Sequence, residues 1–168
     1  MAAKETHTAI LPDAEATAEA ATDLAGHLTG GDTIALSGPI GAGKTHFARA
    51  LIQTRLAAAD RLEDVPSPTF TLVQTYDDGA LSLWHADLYR LGGEDEILEL
   101  GIDQLPANAV LVVEWPERAP RLITAETLEI DFAYLPSDDN ARRVKLTFGT
   151  AWRDRLSAIP FLRRPTDA

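Results

Sequence analysis

A chain of 168 residues with 45% hydrophobic content is long enough for one domain with a full core. Its apolar runs stay short of the ~18 residues a membrane span requires, the polar Met1–His7 segment reads as no signal peptide, and the absence of cysteine excludes disulfides, thiolate metal sites and a cysteine nucleophile, so the cytoplasm is the expected compartment. Fifteen basic against 26 acidic residues leave a formal charge of −11, which argues against a broad electrostatic grip on nucleic acid. Nine of the basic residues lie at or beyond Arg118, and Asp77–Asp103 is mostly acidic. That asymmetry suits docking to a protein and a solvated surface equally.

In chain order, residues 1–9 read as a flexible tail or an edge strand, and 160–168 as a second flexible tail. Pro12-Asp13 opens a helix with Asp13 as N-cap. Ala14, Ala18, Ala21, Leu24 and Leu28 line one of its faces, and Gly30-Gly31 closes it. Thr33–Leu36 reads as a buried strand. Gly38-Pro39-Ile40-Gly41-Ala42-Gly43-Lys44-Thr45 follows, which is Gly, four residues, then Gly-Lys-Thr. Phe47, Ala48, Leu51, Ile52 and Leu56 then recur at helical spacing in a segment running from near Lys44 to near Ala59. Strand, glycine loop and helix form the setting in which this motif cradles phosphates.

Val65-Pro66-Ser67-Pro68-Thr69-Phe70 is stiff and extended, because two prolines forbid helix. Phe70–Tyr76 and Leu81–Ala86 read as an antiparallel pair around an Asp77-Asp78-Gly79 turn. Gly92-Gly93 leads to a short acidic helix, Glu94–Leu100. Val110–Val113 is a continuous apolar run, expected of a strand buried on both faces, and it ends in Glu114. Leu128–Tyr134 and Val144–Phe148 form a hairpin around a turn over Pro136–Asn140, and Trp152–Leu156 form a last helix. With no internal repeat and no dividing linker, residues 1–168 read as a single α/β domain, a P-loop NTPase-like three-layer fold with a mixed parallel and antiparallel sheet.

The motif residues carry a definite chemistry. Glycines at 38, 41 and 43 let backbone N–H groups turn onto phosphate oxygens, and the helix dipole reinforces them. Lys44 would reach the β- and γ-phosphates and Thr45 would ligate Mg²⁺. Glu114, at the end of a buried strand, is the candidate second magnesium residue. Asp87 is the candidate to orient or deprotonate an attacking water. Thr69, in its stiff loop, is a candidate sensor of metal and γ-phosphate. His85, Arg90 and Trp115 are possible near-site residues, for which a structural histidine, a salt bridge and a core plug are the plainer roles. His7, His27 and His46 read as incidental.

Together Gly38–Thr45, Ser67-Pro68-Thr69-Phe70, His85-Ala86-Asp87-Leu88-Tyr89-Arg90 and Glu114-Trp115-Pro116-Glu117 resemble the TsaE (YjeE) family, over about Leu11 to Leu156. The resemblance implies a Mg²⁺-dependent P-loop ATPase, weak alone. It would act with TsaB and TsaD, which transfers threonylcarbamoyl to an adenosine of tRNA, and would meet tRNA only through that complex. It assigns phosphate to Lys44, magnesium to Thr45 and Glu114, a switch-like loop to Thr69 and hydrolysis to Asp87. Trp115 matches the tryptophan after the family's glutamate. Members commonly carry Gly-Asp-Leu-Gly where this chain has Gly38-Pro39-Ile40-Gly41, and Pro39 removes one N–H from the cradle. A small-molecule kinase shares the loop and the length, but the Leu91–Ala109 segment lacks the arginines of a kinase lid. A nucleotide-sensing module without turnover is a third reading.

Overall fold

The apolar run ending in Glu114 dictates the centre of the fold. All six residues of Ala109–Glu114 are buried, so the strand needs neighbours on both edges and cover on both faces. The computed structural model describes residues 3–163. It contains β1 (Glu5–Leu11), α1 (Ala14–Ala25), β2 (Thr33–Ser37), α2 (Lys44–Ala58), β3 (Val73–Asp77), β4 (Ser82–Asp87), α3 (Asp95–Leu100), β5 (Ala109–Glu114), β6 (Leu128–Leu135), β7 (Asp138–Phe148) and α4 (Thr150–Ser157). Short 3₁₀ turns cover Pro116–Arg118, Pro120–Leu122 and Pro160–Arg163.

One seven-stranded sheet runs β1-β7-β6-β2-β5-β4-β3. Its centre is parallel, with β2 flanked by β5 and β6 and β4 beside β5, while β1, β7 and β3 pair antiparallel. This is the mixed α/β sheet expected from the sequence. On one face, Leu24 of α1 and Phe47, Leu51 and Leu56 of α2 pack on Ile34, Leu36, Val110 and Val112. On the other, Ile97 of α3, Leu91 and Ile102 cover Ala35, Ala86, Leu111 and Val113. Three layers result. Among the described residues, no helix is long and apolar enough to cross a membrane.

Several boundaries differ from those expected. Helix α1 is capped by Asp13, whose Oδ1 accepts the Ala16 N–H at 2.8 Å, but it ends at Ala25 and not at Gly30-Gly31. Its buried face is Ala16, Thr17, Ala20, Ala21, Leu24 and Ala25, with Ala14 exposed. Alanine on every side of this helix leaves the face to be chosen by packing on α2. Strand β3 starts at Val73 because Pro68–Leu72 closes into a turn, the Leu72 N–H donating to the Pro68 carbonyl at 2.7 Å. Phe70 therefore lies outside the strand and is 80% exposed. Strand β7 begins at Asp138, well before Val144, since β6 supplies the pairing that its polar start does not itself favour.

Of the two readings of the N-terminal segment, the structure takes the edge strand, and the described part of 160–168 is ordered. Glu5–Leu11 is the edge strand β1, paired along its length with Arg142–Phe148. At the other end Pro160–Arg163 forms a 3₁₀ turn that buries Phe161 in the core beneath α1; residues 1–2 and 164–168 lie outside the described residues. Phe161→Ala is expected to destabilise the fold by about 3 kcal/mol. Urea denaturation reads this directly, and an unshifted midpoint would show that 160–163 contributes nothing to the core.

Candidate active site

The glycine loop leaves β2 at Ser37 and enters α2 at Lys44, with Gly43 as N-cap in the left-handed region, φ 111°. Gly38 adopts φ +136°, and a Cβ there would stand 2.5 Å from the Phe132 carbonyl oxygen. Only glycine passes at that point. The first-turn N–H groups of α2, which a helix leaves without intrahelical partners, point the loop's polarity at whatever lies above it.

The β6–β7 hairpin holds the loop from outside. The Tyr134 hydroxyl donates to the Ile40 carbonyl at 2.7 Å and Arg142 Nε donates to the Ala42 carbonyl at 3.1 Å. The Arg142 guanidinium also lies over the Tyr134 ring, 4.4 Å from its centroid. These two donors tie the Ile40 and Ala42 carbonyls to the hairpin, while the Gly38 and Pro39 carbonyls face Lys44.

Lys44 is buried. Its Nζ donates to the carbonyls of Gly38 at 2.5 Å and Pro39 at 2.9 Å, and sits 4.1 Å from the centroid of the Trp115 ring. Burial lowers its pKa below the usual lysine value, against the charges of Glu114, Glu117, Asp87 and Asp131. Trp115 itself takes φ 59°, a left-handed conformation, and packs on Tyr89 with ring centroids 5.0 Å apart.

The acidic side is built by register. Parallel pairing of β4 with β5 sets Asp87 opposite Glu114 at the C-terminal ends of both strands, and both are buried. Glu114 Oε1 accepts from the Thr45 hydroxyl at 2.6 Å, and its Oε2 faces His85 Nε2 at 2.7 Å. Asp87 Oδ1 accepts the Tyr89 N–H at 3.0 Å, and its Oδ2 accepts from Thr69 at 3.4 Å. Burial pushes the Asp87 carboxyl above its usual range and Glu114 adds to that, while the Tyr89 N–H, His85 and the Thr69 hydroxyl oppose it. Among the described residues, no group of three or more His, Asp or Glu side chains is arranged to hold a metal ion.

A cleft of about 430 Å³ joins these parts, with Lys44, Thr45, Thr69, Asp87, Glu114 and Trp115 among its walls. His85 stands behind Glu114, away from the cleft wall. Arg90 is not brought in: it lies over the exposed Phe70 ring, 4.5 Å from the centroid. Ile40 is 69% exposed at the rim. Sequence reasoning missed Ser67 and Tyr89 in the wall, although both stand inside motifs it singled out, and it missed His46, which lines the cleft and bonds the Ala14 carbonyl at 2.8 Å. Tyr134 and Arg142 carry no local signal.

Residues 11–144 match the family model described as threonylcarbamoyl adenosine biosynthesis protein TsaE. The chain belongs to the TsaE family. It is thereby a protein of tRNA threonylcarbamoyladenosine biosynthesis. The tRNA threonylcarbamoyladenosine biosynthesis protein TsaE of Rickettsia felis is 36% identical over 154 residues, 92% of this chain and 85% of that one. Its namesake from Nostoc sp. is 34% identical over 143 residues, 82% of this chain and 83% of that one. The crystal structure of Bacillus subtilis YdiB superposes with a TM-score of 0.70 at 25% identity, covering 94% of this chain and 95% of that one.

Two outcomes follow from this geometry. Because the folded state raises the Asp87 pKa, folding binds that proton more tightly than the unfolded chain does, so the wild type loses stability as pH rises through the folded value. Asp87→Asn is therefore expected to melt above the wild type at pH 7 to 8, with the gain vanishing once Asp87 is protonated in acid. A pH series of thermal melts checks the sign. For the hairpin anchors, combining Tyr134→Phe with Arg142→Met is expected to speed amide hydrogen exchange over 38–45 while leaving β5 protected.

Proposed function

We propose that the chain binds Mg²⁺·ATP in this cleft and hydrolyses it, weakly by itself and faster with TsaB and TsaD, meeting tRNA only through that complex. The observation that carries the reading is the 2.6 Å contact between Thr45 at the head of α2 and Glu114 at the end of β5. It sets a hydroxyl and a carboxylate together immediately beside a phosphate-binding loop. Hard oxygen donors of this kind, short of a full ligand set, fit a magnesium ion that completes its shell with phosphate oxygens and water. When bound, Mg²⁺ would neutralise charge developing on the phosphates.

The remaining roles rest on the chain's own groups. Gly38–Thr45 would wrap the phosphates with backbone N–H groups, Pro39 contributing only a carbonyl. Lys44 would exchange the Gly38 and Pro39 carbonyls for β- and γ-phosphate oxygens, its ammonium steadied by the Trp115 ring. Asp87 would orient the attacking water and accept its proton, a task favoured by a carboxyl whose proton affinity is already raised. Thr69 would report the γ-phosphate to the proline-bounded loop through its hydroxyl beside Asp87. The chain carries no guanine-reading Asn-Lys-x-Asp segment, which is consistent with ATP.

Nucleotide titration and Mg²⁺-dependent phosphate release, measured with and without TsaB and TsaD, test the reading. Turnover should be low alone and rise with the partners. Lys44→Ala is expected to weaken ATP binding by about 10- to 100-fold, the value of a charge-assisted contact, and Asp87→Ala to cut partner-stimulated turnover by about 10²-fold or more with ATP affinity retained. ATP affinity indifferent to Lys44→Ala would refute the site.

A further inference from the structure

His85 is the one fully buried imidazole in the described chain, at 0% exposure, and no hydrolytic step uses it. Along β4 the side chains alternate: Leu83 joins the core under α2, Trp84 and Ala86 turn to the opposite face, and His85 and Asp87 share Leu83's side. In the β4–β5 register His85 pairs with Val112 and Asp87 with Glu114. His85 therefore sits one step behind the acidic pair and meets Glu114 on the diagonal. Its Nε2 lies 2.7 Å from Glu114 Oε2. Its Nδ1 is buried with no hydrogen-bond partner.

That lone nitrogen is informative. A carboxylate oxygen accepts, so a hydrogen on Nε2 completes this contact and leaves Nδ1 buried without a partner. Burying an unsatisfied polar atom is unfavourable, and a leucine would fill the same space without it. What the imidazole provides in exchange is a rigid N–H aimed at one oxygen of Glu114, while Thr45 addresses the other.

We propose that His85 is a positioning residue for the magnesium site: by holding Glu114 Oε2 it fixes the carboxylate plane so that Oε1 faces Thr45 and the cleft. This is the outer-shell arrangement in which a buried donor orients a ligating carboxylate. It rests on the Mg²⁺–nucleotide reading above.

The test is Mn²⁺ binding to the full chain with ADP, followed by electron paramagnetic resonance, because Mn²⁺ accepts the same oxygen ligands. His85→Leu is expected to weaken Mn²⁺ affinity by about 10- to 100-fold and to leave metal-free ADP affinity unchanged. His85→Gln, whose amide nitrogen falls near the Nε2 position, is expected to retain most of the affinity. Should the leucine variant fail to fold, judged by circular dichroism, His85→Asn takes its place, its donor being too short to reach Oε2. A folded leucine or asparagine variant that binds Mn²⁺ like the wild type overturns the assignment, and so does a glutamine variant as weak as the leucine one. Wild-type protein that binds no Mn²⁺ with ADP overturns the magnesium reading as well, which separates the two failures.

Discussion

The parallel register of β4 and β5 is the constraint on which the cleft depends. It brings the carboxylates of Asp87 and Glu114 side by side at the ends of two buried strands. Two like charges in a poorly solvated place repel, and each is expensive to desolvate. The chain answers with local donors: Thr45 and His85 on Glu114, Tyr89 N–H and Thr69 on Asp87. Lys44, its charged form disfavoured by burial, is in turn supported by the charges of Glu114 and Asp87. The arrangement sets the two carboxylates on one wall of the cleft and Lys44 with the glycine loop on the other.

Much of this was legible in the sequence because it is encoded locally. The glycine loop fixes its own backbone, the Phe47–Leu56 spacing fixes the face of α2, and an uninterrupted apolar run before Glu114 fixes a central strand with its glutamate at the edge. Legibility failed where the deciding partner is distant. An alanine-rich α1 offers no contrast between faces, so packing chooses. The charged start of β7 is extended only because β6 runs beside it. Arg90, the last residue of a motif, lies over the Phe70 ring. Tyr134 and Arg142 reach the glycine loop from 94 and 100 residues away, and nothing near either residue announces the contact.

Trp115 shows how strain and packing combine at this site. A left-handed backbone is costly for a bulky residue, yet here it swings the indole out of β5's line and over Lys44. Pro116 begins the following 3₁₀ turn and confines the chain that leaves the strand. The local strain is held by two contacts of the indole, the tilted Tyr89 ring and the Lys44 ammonium.

The pairing of β1 with β7 has a consequence for how the protein is made. Strand β1 has no place in the sheet until β7, more than 120 residues later, follows it. Meanwhile the glycine loop, complete in sequence early, lacks its outer anchors until the same hairpin arrives. Long-range closure of this kind is slow relative to local folding, since chain entropy must be given up before the contacts form. During synthesis β1 waits as an unpaired edge, the form of strand most open to pairing with another chain. A ribosome that stalls before β7 would thus release a chain with both an open edge and an unsupported loop, and completion of the C-terminal hairpin is the event that finishes sheet and cleft together.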